Sequence, residues 1–123
     1  MFSLRLLLLA VLALPFTASA EPAMNYGVLI ISRERLEVPT PCDIAVYLQD
    51  QLVSRLYQGQ SAAYNLPPGK INVRLGTLGG TGCIPAFEQI HGQDISLQAG
   101  DILKYRIALG GNGLYLIHIP SAP

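Results

Sequence analysis

The sequence contains no tryptophan, and only 7% of its residues are aromatic. Charged residues are also scarce, at 13%, and they balance to a formal net charge of +0. A nucleic-acid binder driven by electrostatics carries an excess of Lys and Arg on one face, so that class is excluded. The chain has no run of like charges and no low-complexity segment, which excludes a solvated disordered tail. Helical periodicity is missing as well. No stretch holds apolar residues at helical spacing over three capped turns, and 12 Gly and 9 Pro in 123 residues interrupt too often to permit one. The length allows a single domain.

Signatures of catalysis are equally sparse. No G-x-S-x-G elbow surrounds Ser32, Ser54, Ser61, Ser96 or Ser121, and neither H-E-x-x-H nor a local pair of carboxylates occurs. The stretch 76–82 (GTLGGTG) is rich in glycine but lacks the Gly-Lys-Ser/Thr ending of a phosphate cradle. No helical pattern follows it, so no helix dipole would favour an anion there. It reads as a flexible connection within a longer loop over residues 76–85. His91, between Glu88 and Asp94, is the one group a hydrolase could use as a general base. Its plainer reading is a surface histidine on a loop or edge. His118 falls in an alternating terminal strand and reads as structural. No catalytic, metal-binding or cofactor-binding residue is assigned, and no cofactor is expected.

What is present begins with an address. Residues 1–20 (MFSLRLLLLAVLALPFTASA) place Arg5 before an apolar run, break that run at Pro15, and end in Ala18-Ser19-Ala20. This is the order of a secretory signal peptide with an A-x-A cleavage site. The run is about half the roughly 20 apolar residues that a spanning helix needs. No cysteine follows it to accept a lipid. Cleavage after Ala20 leaves residues 21–123 as one domain with seven basic and eight acidic side chains, exported to the periplasm or beyond.

Export gives meaning to the 2 cysteines, Cys42 and Cys83. In an oxidising compartment such a pair is most often a disulfide. Closing a loop of about 40 residues is worth roughly 4 kcal/mol in the chain-entropy account. They do not form C-x-x-C, and with His91 as the nearest histidine the set is incomplete for zinc.

The remaining pattern is β throughout. Residues 26–32 (YGVLIIS) form a continuous apolar run. Residues 33–37 alternate weakly and lead to Pro39-Thr40-Pro41, a loop or exposed edge. Residues 43–49 and 52–57 make a hairpin about Asp50-Gln51. A short strand spans 61–66. Pro67-Pro68-Gly69 is a turn in which Gly supplies positive φ. Residues 70–76 alternate almost strictly, with Ile71, Val73 and Leu75 facing one way. Alternation returns at Ile95 and Leu97, and Ala99-Gly100-Asp101 is a turn. Residues 102–109 and 114–119 form a second hairpin around Gly110-Gly111-Asn112-Gly113. Seven to eight short strands in about 100 residues predict an all-β sandwich, with a closed barrel as runner-up.

Residues 45–56 (AVYLQDQLVSRL), 63–73 (AYNLPPGKINV) and 97–107 (LQAGDILKYRI) resemble runs of small bacterial exported β-sandwich domains. These are PEGA-like and carboxypeptidase regulatory-like (transthyretin-like) domains. The three runs cover roughly half of residues 21–123, in the same order as in those domains. The resemblance implies an immunoglobulin-like or prealbumin-like sandwich and implies no catalytic residue. The chain departs from the pattern at Asp50-Gln51, where Asp-Gly is usual.

Three functions follow in order of weight. The first is a non-enzymatic envelope module that binds an envelope protein or component through an exposed strand edge, with residues 26–32 as the edge. The second is a small-ligand or glycan binder using its tyrosines and glycine loops, with a concave aromatic patch. The third is a hydrolase built on His91, Glu88 and Asp94. The export reading has a direct check: N-terminal sequencing of the exported product is expected to begin at Glu21.

Overall fold

The computed structural model describes residues 25–83 and 92–121. The predicted signal peptide, Glu88 and His91 lie outside them. Eight strands run in order: β1 (Gly27–Ser32), β2 (Asp43–Leu48), β3 (Gln51–Leu56), β4 (Ser61–Leu66), β5 (Gly69–Leu78), β6 (Gln93–Leu97), β7 (Ile102–Gly110) and β8 (Gly113–Ile119). They form two four-stranded sheets, ordered β4-β1-β7-β8 and β3-β2-β5-β6. This is the all-β sandwich that the pattern predicts. Within that class the order is not that of an immunoglobulin domain, whose first two strands pair in one sheet. Here β1 and β2 lie in opposite sheets, and β1 pairs in parallel with β7.

Alternation sets the core. Leu29 and Ile31 of β1, Ile44, Val46 and Leu48 of β2, Ile71, Val73 and Leu75 of β5, Ile95 and Leu97 of β6, Ile107 of β7, and Leu114 and Leu116 of β8 are buried between the sheets. Burying each such side chain contributes about 1.5–3 kcal/mol. The outer face of the second sheet is polar, with Asn72 and Arg74 of β5 and Asp94 of β6. The outer face of the first is more apolar, with Val28, Ile30, Ile102, Tyr115 and Ile117.

Three local expectations are corrected. Residues 26–32 are not an edge. β1 is paired along both sides, antiparallel to β4 and parallel to β7. Its apolar run is continuous because its outward residues, Val28 and Ile30, join the half-buried outer face while Leu29 and Ile31 fill the core. The hairpin turn lies one residue earlier than Asp50-Gln51. Leu48 is still in the core, so the turn falls on Gln49 and Asp50, both at positive φ (50° and 63°). Two positive φ values in succession match the right-handed twist of a hairpin. Gln49 secures the turn by donating its N–H to the Asn72 carbonyl (2.9 Å) and accepting from the Asn72 N–H (2.9 Å). Finally, the glycine loop begins later than Gly76. β5 continues through Gly76 and Thr77 to Leu78, because β2 extends back to Asp43 and pairs with it. Pro67 and Pro68 carry the chain from the first sheet to the second, and Gly69 (φ 141°) takes the conformation that favours glycine.

Cys42 and Cys83 are joined in a disulfide, with Cα atoms 5.6 Å apart. The bridge ties the β1–β2 connection to the β5–β6 connection. Replacing both cysteines with alanine is expected to lower the unfolding free energy by up to about 4 kcal/mol. Urea unfolding of the variant beside the oxidised protein measures this.

Candidate functional site

Strand directions divide the loops between two ends of the sandwich. At one end lie residues 49–50, 67–68 and 98–101, all short turns. Among the described residues, the other end carries 33–42, 57–60, 79–83 and 111–112. The 33–42 connection and the described residues that follow β5, 79–83, therefore share one end, and the disulfide joins them. Long loops on a rigid scaffold are where binding surfaces concentrate.

Arg33 organises this end. It follows Leu29 and Ile31 on the inward side of β1 and is only 1% exposed. Nη1 donates to the carbonyls of Cys42 (2.7 Å) and Leu56 (2.8 Å). Nη2 donates to the carbonyls of Thr40 (2.7 Å) and Val38 (3.3 Å). Nε has no partner among the described residues. Burial lowers the guanidinium pKa, and the nearby Asp43 charge opposes that shift. The group stays cationic, because arginine does not lose its proton in proteins. Asp43 itself meets Arg55 Nη2 at 3.1 Å.

The segment that Arg33 grips from inside is held from outside by Gln58. Its Nε2 donates to the carbonyls of Val38 (2.9 Å) and Thr40 (3.4 Å), and its Oε1 accepts from the Leu36 N–H at 2.8 Å. Glu37 pairs with Arg106 of β7, and the Glu37 N–H closes a turn on the Glu34 carbonyl at 3.3 Å. Leu36 takes the third position of that turn with φ 68°. Positive φ there ordinarily selects Gly or Asn. A left-handed conformation costs an L-residue roughly 1–2 kcal/mol. Leu36 gains no core contact in return, since it is 73% exposed. Tyr57, on the neighbouring 57–60 turn, is 58% exposed.

Among the described residues, the other sequence candidates do not gather here. Asp94 lies on β6 and accepts from Asn72 Nδ2 at 3.0 Å. His118 is exposed at the far end of β8, its ring 5.0 Å from that of Tyr105. The tyrosines are dispersed. Tyr26 precedes β1, and Tyr47 lies on the outer second sheet beneath the Arg74 guanidinium, 3.9 Å from its ring centre. Tyr64 and Tyr105 pack against the core, where burial raises both hydroxyl pKa values, and Ser54 partly offsets the shift at Tyr64. Tyr115 is on the outer first sheet. Among the described residues no three His, Cys, Asp or Glu side chains could hold a metal ion together. No helix among them is long and apolar enough to cross a membrane.

No protein-family model, curated protein or solved structure matches this chain. The residues that build this end are therefore read from their own geometry. Sequence reading missed Arg33, Leu36 and Gln58. Parity alone could have found Arg33, which stands two residues beyond Ile31 on the inward side.

Arg33→Met is expected to leave buried carbonyls without donors and to cost more than about 3 kcal/mol. Arg33→Lys should recover only part of this, because an ammonium lacks the planar fork that spans four acceptors. Thermal or denaturant unfolding of the two variants checks both.

Proposed function

We propose that the chain is a non-enzymatic, exported β-sandwich module that binds another protein or an envelope component through the loop end built on Arg33. The observation that carries this reading is Leu36. It is a large apolar side chain, 73% exposed, held at φ 68° by the Gln58 hydrogen bond and the Glu37–Arg106 pair. Inside the fold this arrangement has a cost and no return. Strained residues that persist do so where the surroundings over-determine them, and they cluster at ligand clamps and switches. A partner with an apolar socket supplies the missing contact, with Tyr57 as a second anchor. Holding the tip rigid before binding lowers the ordering cost of association. The likeness of residues 45–56 and 63–73 to exported envelope sandwich domains supports the same reading. It assigns no catalytic residue.

The test separates binding from stability. A photo-cross-linking amino acid at position 36, introduced in cells of the source organism, is expected to yield one discrete protein or envelope adduct. The same group at Ser96, on the exposed face of β6, should not. Leu36→Gly relieves the positive φ, so its stability is expected to hold or to rise by up to about 1 kcal/mol. Its affinity for the cross-linked partner should fall by at least about tenfold. Equal labelling from both positions, or full affinity in Leu36→Gly, would overturn the reading.

A further inference from the structure

The four outer strands present unequal edges. β3 is bulged where it passes Val46 and Tyr47, and it carries Arg55, paired with Asp43. β6 has only 5 residues, with Asp94 exposed. β8 is latched by Gln93, whose Oε1 accepts from the Leu116 N–H at 2.7 Å while Nε2 donates to the Leu116 carbonyl at 3.4 Å. Bulges, charges, short strands and covering groups are the devices that keep sheet edges from pairing. Among the described residues, β4 has none of these. Its sequence SAAYNL is uncharged, and its ladder with β1 runs without a register shift.

Ladder alternation fixes which of its groups face outward. The Arg33 N–H donates to the Gln60 carbonyl at 2.8 Å, one step beyond the Ser32–Ser61 pair. The bonded pairs are therefore Ile31–Ala62, Leu29–Tyr64 and Gly27–Leu66. The N–H and C=O groups of Ser61, Ala63 and Asn65 point away from β1. Among the described residues none bonds to them from the open side. The side chains of these three residues are exposed as well.

We propose that β4 pairs with β4 of a second copy of this chain, antiparallel about a two-fold axis at Ala63. In that register Ala63 exchanges both backbone hydrogen bonds with the partner's Ala63. Ser61 does the same with the partner's Asn65, and Asn65 with the partner's Ser61. Every outward N–H and C=O of the three residues is then satisfied. On the inward side Ala62 meets the partner's Tyr64, small against large. On the outer side Ser61 and the partner's Asn65 can hydrogen-bond, and no charge is opposed or buried. A second copy supplies an equally open, uncharged strand of the same length, and the self-complementary register is the isologous contact that two-fold dimers use. The axis reverses β4, so the two Leu36 tips point to opposite ends of the joined sheet. The pairing does not depend on what Leu36 binds.

Sedimentation equilibrium of the oxidised protein tests the register. The unsubstituted chain is expected to be a dimer. Ser61→Lys with Asn65→Lys sets like charges opposite each other across the axis and should weaken association by at least about tenfold. Ser61→Glu with Asn65→Lys sets opposite charges there and should keep the dimer. Ala63→Pro removes the central N–H and should give a monomer. The two charge pairs lie on exposed positions, so their melting temperatures report whether each monomer remains folded. A monomeric unsubstituted chain overturns the proposal, as does a dimer indifferent to the two lysines. Equal loss in both charge pairs overturns it too.

Discussion

The contact on which the loop end depends is a buried guanidinium solvated by main chain rather than by a carboxylate. A cation removed from water must recover its hydration from the protein, or the fold loses several kcal/mol. Arg33 does so with the carbonyls of Val38, Thr40, Cys42 and Leu56. Three of these belong to the connection that leaves β1, and the fourth ends β3. One side chain therefore sets where the β1–β2 connection turns back, where it meets the second sheet, and where Cys42 lies relative to its partner. Pro39 and Pro41 suit this role. They lack N–H groups of their own, so they bring no donors to the loop that would need acceptors.

The disulfide and the guanidinium act on the same segment by different means. The bridge restricts the unfolded chain, whereas the arginine satisfies groups in the folded one. They meet at Cys42, whose carbonyl accepts from Arg33 and whose sulfur bonds Cys83. Neighbouring contributions of this kind are not additive. Gln93 plays a comparable part on the far side of the sandwich, where its amide copies a strand's donor and acceptor against Leu116. In both cases a polar side chain occupies an inward position and serves backbone groups of a neighbouring segment.

Most of the strand architecture was legible because alternation and turn residues determine it locally. Ser61–Leu66 was bounded by its own pattern, and Ile71, Val73 and Leu75 announced their shared face. What one strand's sequence cannot encode is its neighbours. The run at 26–32 fits a central strand and an edge equally well, and only the pairing of β1 with β4 and β7 decides between them. The hairpin turn fell one residue early because burial of Leu48 outweighed the preference for a turn at Asp50-Gln51. Of the site, Cys42 and Cys83 were legible through redox compartment and count. Arg33 was not, nor was Gln93 outside the site, because charge and amide read as solvent-facing by default. Yet both share parity with core residues, Arg33 with Leu29 and Ile31, Gln93 with Ile95 and Leu97.

The strain at Leu36 acquires meaning from this rigidity. A leucine at φ 68° in a loose loop would relax to a commoner conformation. Here the Leu36 N–H is held by Gln58, the adjacent Glu37 by Arg106, and the segment behind them by Arg33. Their combined grip exceeds the roughly 1–2 kcal/mol that the conformation costs. A loop fixed so firmly gains nothing in stability from an exposed leucine, and glycine would occupy the position at lower energy. The side chain is thus displayed at the expense of the fold, and this uncompensated exposure is the observation on which the proposed contact with a partner rests.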